Sequence, residues 1–121
     1  MKKTLLFLFV ISSLLNSCKK DSVSTYSEMI VGKWQLKSAT PEGQYNPCDF
    51  EGFNNFNPDN TYNVFDACSN ASSQGKWIIK DHVLTIIDDI IPIPSDLTII
   101  SLTKSNMKLE FMGSVAYYIK L

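Results

Sequence analysis

The chain has no arginine, only one histidine (His82) and three cysteines among its 121 residues. Without arginine, no side chain can hold a phosphate through two parallel hydrogen bonds. Eleven lysines are balanced by twelve acidic residues, so the sequence has neither the basic surface of a nucleic-acid-binding protein nor an acidic disordered tail. The scarcity of histidine and cysteine leaves few ways to build a metal site or a nucleophilic triad. We therefore expect one small domain that is not an enzyme and uses no cofactor.

Residues 1–17 have the features of a bacterial signal peptide. Lys2 and Lys3 precede an apolar run, residues 5–15, that is too short to cross about 30 Å of hydrocarbon as a helix. The run ends in Leu15-Asn16-Ser17-Cys18, which resembles the lipobox of bacterial lipoproteins. This resemblance implies cleavage before Cys18 and acylation of that cysteine. The alternative is a signal peptide followed by an incidental cysteine.

Residues 18–28 are predicted to be the lipidated cysteine and a flexible tether, because they are polar and have little apolar bulk. Their Cys-Lys-Lys-Asp start is typical of Bacteroidota lipoproteins, which implies the outer membrane, facing the periplasm or the surface. Asp21-Ser22-Val23 resembles an O-glycosylation motif of the same phylum, but a plain linker is the interpretation we favour. Cleavage leaves nine lysines against twelve acids, a charge of −3, so the lipid alone is expected to hold the protein at an anionic membrane.

From residue 29 onward, apolar and polar residues alternate between closely spaced turn residues, and no stretch is typical of a long helix. Asn57-Pro58-Asp59-Asn60 is predicted to be a turn, with Asn60 in the left-handed region. The predicted strands are residues 33–37, a segment ending at 53–56, and residues 62–66, 75–80, 83–87, 97–102, 107–111 and 115–121. The prediction is an all-β, eight-stranded antiparallel up-and-down barrel over residues 29–121, since closure removes both exposed edges.

Several of these strands resemble the lipocalin-like domains of small Bacteroidota lipoproteins. The resemblance lies in Gly32-x-Trp34, the Phe56–Tyr62 hairpin, Gly75-x-Trp77 and Leu84-x-Ile86. It implies a short version of the lipocalin barrel and, by analogy, a binding function. Because the chain lacks the length of a full lipocalin, we expect a narrow ligand cavity or none.

With Cys18 assigned to lipid, Cys48 and Cys68 remain, and an even remainder in an exported chain favours a disulfide. The two cysteines lie nearly opposite each other on one predicted hairpin, where Gly52 is expected to absorb a one-residue offset as a bulge. A redox-active or metal-binding pair is the less favoured alternative, because neither cysteine lies in a C-x-x-C motif or beside a histidine.

No residue in the chain has the surroundings of a catalytic or metal-binding group. His82 follows Asp81 in a predicted turn, and no nucleophile motif accompanies it, so a surface position is favoured. Asp88, Asp89 and Asp96 lack the spacing of a calcium loop, so a solvated loop is favoured there. We predict no catalytic residue and no metal ligand.

The predicted loop from Asp88 to Asp96 contains Ile90-Ile91-Pro92-Ile93-Pro94, which is costly to leave in water. It is expected to pack against its own barrel, to cover the barrel mouth or to contact a partner. The predicted inward side chains are Trp34, Tyr62, Trp77, Leu84, Ile86, Leu109, Phe111 and Tyr117. The candidate ligand contacts are Trp34, Tyr62, Trp77, Phe111, Ile91 and Ile93, although a core role is favoured for both tryptophans.

Two functions fit this pattern. The first is a lipid-anchored envelope binding module that holds a small hydrophobic ligand in a narrow barrel cavity. The alternative is a structural or interaction lipoprotein with a filled barrel, which docks to another envelope protein through the Ile90–Pro94 loop. Nucleic acid is not an expected partner of either.

Overall fold

The computed structural model describes residues 25–43 and 45–121, which form a closed eight-stranded antiparallel β-barrel. Each strand pairs with the next in the chain, and β8 pairs with β1. The strands are β1 (Gly32–Thr40), β2 (Phe53–Phe56), β3 (Thr61–Asp66), β4 (Ala71–Lys80), β5 (Val83–Asp88), β6 (Pro94–Leu102), β7 (Asn106–Phe111) and β8 (Ser114–Lys120). The predicted up-and-down barrel is confirmed. The predicted signal peptide, Cys18, Ser22 and most of the tether lie outside the described residues.

The up-and-down order gives the barrel two ends of different construction. At one end, which we call the closed end, lie the β2–β3, β4–β5 and β6–β7 turns and a four-residue helix, α1 (Tyr26–Met29). At the other end, the mouth, lie the β3–β4, β5–β6 and β7–β8 connections and the long β1–β2 connection with its 3₁₀ turn Pro47–Phe50. The chain therefore enters the barrel at the closed end.

The closed half of the barrel is filled by its own side chains. Trp34 is fully buried, and its indole Nε1–H donates to the carbonyl oxygen of Ile30 at 2.7 Å. Trp77 Nε1–H donates to the carbonyl oxygens of Asn57 and Thr61, on either side of the β2–β3 turn, and Phe56 meets the Trp77 ring edge-on at 5.8 Å. Each large apolar side chain buried in this way contributes about 1.5–3 kcal/mol. The core cluster is Ile30, Trp34, Phe56, Tyr62, Trp77, Leu84, Ile99, Leu102, Met107 and Leu109.

Helix α1 is fixed to the closed end by a lysine from the last strand. Lys120 Nζ donates to the carbonyl oxygens of Met29 and Val31, both at 2.9 Å, and lies 5.0 Å from the centre of the Trp34 ring. Tyr26 and Met29 pack against the core, so the folded unit includes residues before the expected start at residue 29. None of the helices in the described part of the chain has the length and apolar character required to cross a membrane.

Two strands begin earlier than the sequence pattern predicted. β4 begins at Ala71 rather than Gly75, because residues 71–74 (Ala-Ser-Ser-Gln) pair with β3 although their sequence shows no apolar alternation. β6 begins at Pro94, opposite Ile87. A proline is compatible with the first residue of a strand, so the predicted loop over residues 88–96 is shortened to residues 89–93.

The predicted inward position of Tyr117 is wrong. Tyr118 is the inward residue, paired with Leu36 on one side and Met107 on the other, whereas Tyr117 is 39% exposed beneath the Lys108 ammonium. The strand is apolar at both alternating positions, so its own sequence does not distinguish the two faces. Phe111 does share the inward face of Met107, but it lies at the mouth and is 45% exposed.

The predicted disulfide is confirmed: Cys48 is bonded to Cys68, with their Cα atoms 5.0 Å apart. Cys48 lies in the 3₁₀ turn rather than on the hairpin, so the bond joins that turn to the β3–β4 turn at the mouth. Gly52 lies between the 3₁₀ turn and β2, where an added Cβ would come within 2.3 Å of the Phe65 carbonyl oxygen. The glycine is therefore required for a close backbone approach rather than for a bulge within a strand.

Candidate binding site at the barrel mouth

The mouth half of the barrel is divided into clefts, in contrast to the solid closed half. Tyr118 projects inward from β8, and Tyr45, on the connection after β1, lies beside it. These two side chains line both a cleft of about 230 Å³ against β2 and β3 and one of about 360 Å³ against β7. A third cleft, of about 420 Å³, lies between β3, β5 and the β5–β6 loop.

Four isoleucines form most of the wall of the third cleft. Ile86 extends from the inward face of β5, and Ile90, Ile91 and Ile93 belong to residues 89–93, which we call the isoleucine loop. The three loop side chains are 83%, 63% and 69% exposed, respectively. Such a cluster of exposed branched apolar side chains on a small domain is typical of a surface that contacts something else. The remaining lining residues are Tyr62, Asp88 and Ser95.

The isoleucine loop has a defined hydrogen-bonded shape. Asp88 Oδ1 accepts hydrogen bonds from the backbone N–H groups of Ile90 at 2.8 Å and Ile91 at 3.2 Å. The Asp89 N–H donates to the Gln74 carbonyl oxygen at 3.0 Å, which ties the loop to β4. A carboxylate that accepts two backbone N–H groups fixes a turn in the same way as a helix N-cap. The loop therefore presents its isoleucines from a fixed backbone.

Two tyrosines that line the mouth clefts have raised pKa values. Burial raises the pKa of the Tyr62 phenol, and the negative charges of Asp88 and Asp89 raise it further. Burial also raises the pKa of Tyr118 to about 12, with a smaller contribution from Tyr45. Both phenols therefore stay neutral at physiological pH and are available to donate a hydrogen bond within apolar walls.

The charged residues are distributed unequally between the two ends. When each strand is divided at its midpoint, the mouth half carries eight carboxylates and one lysine, and the closed half carries six lysines and three carboxylates. The mouth residues are Glu42, Asp49, Glu51, Asp66, Asp88, Asp89, Asp96, Glu110 and Lys37. The closed-end residues are Lys33, Lys76, Lys80, Lys104, Lys108, Lys120, Glu28, Asp59 and Asp81. The mouth is therefore a region of negative potential.

The six residues predicted to contact a ligand divide into three groups. Tyr62, Ile91 and Ile93 meet in the third cleft. Phe111 lines the neighbouring cleft beside Tyr118. Trp34 and Trp77 lie in the filled closed half, where both indole N–H groups are already bonded to carbonyl oxygens.

Sequence reasoning did not identify Asp88 as part of the site, although a signal was present. Leu84 and Ile86 were both assigned inward positions, and a strand alternates its faces every two residues. Extending that alternation by one step places Asp88 on the inward face, where the structure has it opposite Gly75. The prediction of a loop at Asp88 is therefore wrong, because Asp88 is the last residue of β5.

The other candidate groups do not form a reactive site. His82 lies in the β4–β5 turn at the closed end, with its ring 5.5 Å from the ring of Tyr26. Cys48, Asp49 and Cys68 bring potential ligand atoms within 4.8 Å of one another. The two sulfur atoms are bonded to each other, however, and a metal ion binds thiolates rather than a disulfide.

Comparison with solved structures finds the same barrel in proteins of Bacteroides. A lipocalin-like protein from Bacteroides uniformis matches 77% of this chain and 99% of its own, with a TM-score of 0.60 and 19% identity. An uncharacterized protein from Bacteroides eggerthii matches 76% of this chain and 99% of its own, with a TM-score of 0.62 and 17% identity. At these identities the likeness concerns the fold.

Comparison with curated proteins finds no match. The family model of the lipocalin-like domain matches residues 30–109, which extend from the buried Ile30 to the buried Leu109 and include the third cleft. Neither of the two similar structures is named as an enzyme. The resemblance to Bacteroidota lipocalin-like domains is confirmed, and the chain belongs to the lipocalin-like domain family.

Proposed function

We propose that this protein is a lipid-anchored binding module of the bacterial cell envelope, which holds a small hydrophobic molecule at the barrel mouth. The observation that carries this proposal is the cleft of about 420 Å³ under the isoleucine loop. Its volume lies in the lower part of the range of small-molecule sites, and its mixture of apolar walls with a few polar groups is typical of them. Side chains fill the interior of the closed half, so a ligand inside the barrel would lie at the mouth.

The chain enters the barrel at the closed end, opposite the mouth, and this arrangement supports the same proposal. Residue 25 leads into α1 at the closed end, so a tether that runs back to Cys18 would attach the barrel to the membrane by that end. The mouth would then remain accessible from the aqueous side. We propose an outer-membrane location, facing either the periplasm or the surface.

The ligand site can be tested by titration with a neutral hydrophobic dye such as Nile red. Residues 25–121 contain all eight strands and the core, so the protein can be produced without its first eighteen residues. Tryptophan emission is a poor reporter here, because Trp34 and Trp77 lie in the closed half. We expect saturable binding of the dye and its displacement by lipids that native mass spectrometry finds on the purified protein.

The variant Ile91→Ser/Ile93→Ser should weaken dye binding at least tenfold, because each isoleucine buried by a ligand contributes about 1.5–3 kcal/mol. Ile78→Ser is the matched control. Ile78 is 58% exposed, but it lies on the outer face of β4, away from the mouth. Equal dye binding by the wild type and the double variant would contradict the proposed site.

The three exposed isoleucines also support a second candidate, which is docking to another envelope protein through the Ile90–Pro94 loop. A protein partner would bury the same side chains that a ligand would contact. Affinity purification from the native envelope, compared between the wild type and Ile91→Ser/Ile93→Ser, tests this candidate. If the loop docks to a protein, a partner should co-purify with the wild type and with Ile78→Ser but not with the double variant. Unchanged partners in the double variant would rule it out.

The lipid anchor has a separate test. Metabolic labelling with an alkyne-modified fatty acid should mark the wild-type protein, and Cys18→Ser should lose both the label and membrane retention. The cleft is formed by residues 62–95, so the purified Cys18→Ser protein should bind the dye as tightly as the barrel without its first eighteen residues. Labelling of Cys18→Ser at the wild-type level would contradict lipidation at this cysteine.

A further inference from the structure

The charges around the mouth point to one class of ligand. Every charged side chain that lines the three clefts is a carboxylate: Asp49 and Asp66 line the first cleft, and Asp88 lines the third. No lysine occurs among the described residues that line any of them. A ligand that enters the third cleft therefore meets negative charge and no compensating cation.

Asp88 is placed to contact such a ligand. It follows Ile86 on the inward face of β5, so its carboxylate lies beside the apolar wall and not on the outer surface of the barrel. Its Oδ1 accepts the two N–H groups of the isoleucine loop. Among the described residues, no hydrogen bond reaches Oδ2, and no lysine pairs with this carboxylate.

We infer that the third cleft binds a small amphiphile with a cationic head group, whose ammonium contacts Asp88 and whose apolar part packs against Ile86 and the isoleucine loop. This inference rests on the proposed binding function and specifies its ligand. A cation and a carboxylate attract each other more strongly beside apolar walls, where the effective dielectric constant is lower than in water. The eight carboxylates of the mouth half would raise the local concentration of a cation before it binds.

The same arrangement disfavours an anionic lipid. A fatty-acid carboxylate in this cleft would lie near Asp88, and Lys37 is the one lysine in the described mouth half. Lys37 does not line any of the three mouth clefts. Like charges at short distance without a cation between them repel, so binding would require the ligand to take up a proton.

Three ligands with the same alkyl chain separate charge from hydrophobicity: octyltrimethylammonium, octanol and octanoate. Their affinities can be measured by isothermal titration calorimetry at low and high salt on the protein without its first eighteen residues. We expect octyltrimethylammonium to bind at least tenfold more tightly than octanoate, with octanol between them. The preference should shrink at high salt, because salt screens the field of the mouth.

Asp88→Asn tests the assigned contact, because the amide oxygen of asparagine can still accept the two loop N–H groups while the charge is removed. The preference for the cation over the anion should fall to about threefold or less, with octanol affinity unchanged. Asp96→Asn is the matched control. Asp96 lies in the same half, on the outer face, and accepts a hydrogen bond from Thr85 Oγ1 at 2.7 Å.

The outcomes distinguish this inference from the proposed function. If none of the three ligands and no dye binds, the proposed function fails. If octanoate binds as tightly as octyltrimethylammonium, the site stands and the inferred ligand class is wrong. If Asp88→Asn and Asp96→Asn reduce the preference for the cation over the anion equally, the summed negative charge of the mouth accounts for the preference. The inferred direct contact with Asp88 would then be wrong.

Discussion

At the scale of single residues, the repeated Gly-x-Trp motif has a different physical cause at each of its two sites. Gly32 has a φ of 136°, which favours glycine, and an added Cβ would lie 3.2 Å from Lys120 Cε. At Gly75, an added Cβ would lie 2.3 Å from the Ile87 carbonyl oxygen and 2.4 Å from the Tyr62 ring. The first glycine therefore lets the chain turn into the barrel, and the second makes room for a side chain of the cleft.

Gly75→Ala should destabilise the protein by about 1–3 kcal/mol, because the methyl group overlaps both a backbone oxygen and the buried Tyr62 ring. Urea unfolding measures the change. Gln74→Ala, an exposed neighbour on the same strand, should stay within about 0.5 kcal/mol of the wild type. If Gly75→Ala were as stable as Gln74→Ala, this close packing would not be required.

At the scale of elements, β8 decides how the mouth is divided. Its sequence Val115-Ala-Tyr-Tyr-Ile119 is apolar on both faces, so the tyrosine that enters the barrel is selected by neighbouring strands. Leu36 and Met107 flank Tyr118, and the Lys120 ammonium two residues later bonds to carbonyl oxygens at the closed end. A shift of one residue would place Tyr117 inside and remove those bonds.

Alanine substitution of the two tyrosines tests this register. Tyr118→Ala removes a ring packed against the core and should cost about 3 kcal/mol. Tyr117→Ala removes an exposed ring that lies under the Lys108 ammonium. This substitution should lower the free energy of unfolding by about 1 kcal/mol or less. Unfolding free energies in urea would show the difference. Equal costs would contradict the register of β8.

Much of the fold could be predicted from local sequence. The errors lie where pairing with another strand determines where a strand begins or which face of it is inward. The Asn57–Asn60 turn was predictable because Asn60 tolerates its φ of 67°, and the disulfide was predictable from the count of cysteines. The start of β4 and the face of Tyr117 depend on partner strands that the local pattern does not identify. In the site, Ile91 and Ile93 are predictable because exposed isoleucine is costly, whereas Asp88, predicted in a loop, is the last residue of β5 and lines the third cleft.

The Cys48–Cys68 bond joins the 3₁₀ turn to the β3–β4 turn and closes a loop with a sequence separation of 20. Replacing both cysteines by alanine should destabilise the protein by about 3 kcal/mol, mainly because the unfolded chain gains freedom. Urea unfolding with and without reductant measures this change. The wild type should lose the same amount when reduced, and the double variant should be insensitive to reductant. A double variant as stable as the oxidised wild type would contradict a structural role.

At the scale of the whole molecule, the two ends of the barrel differ in packing, charge and connection. The closed end is solid and carries six of the seven lysines in the described residues, and the chain enters there. The mouth is divided into clefts, carries eight carboxylates and exposes the isoleucine loop. The net charge of −3 expected for the mature chain is therefore distributed unequally, with most lysines at the closed end and most carboxylates at the mouth. An anionic membrane would attract the lysine-bearing end and repel the mouth.

This distribution predicts how the proposed lipid-anchored protein lies on a membrane. A label at Ser105→Cys, in the β6–β7 turn of the closed end, should transfer energy to a membrane dye more efficiently than a label at Met112→Cys in the β7–β8 turn. The two labels flank β7, whose six tilted residues separate them by roughly 20 Å along the barrel, which is ample for this measurement.

Vesicles of phosphatidylethanolamine and phosphatidylglycerol provide the anionic surface, and raised salt should reduce the difference because it screens the lysines. Vesicles without phosphatidylglycerol are the control, in which the tether alone should give a smaller difference of the same sign. Equal transfer from both labels on anionic vesicles would show that the barrel has no preferred orientation. Stronger transfer from Met112→Cys would place the isoleucine loop at the lipid surface, and the mouth would then receive its ligand from the membrane rather than from the aqueous side.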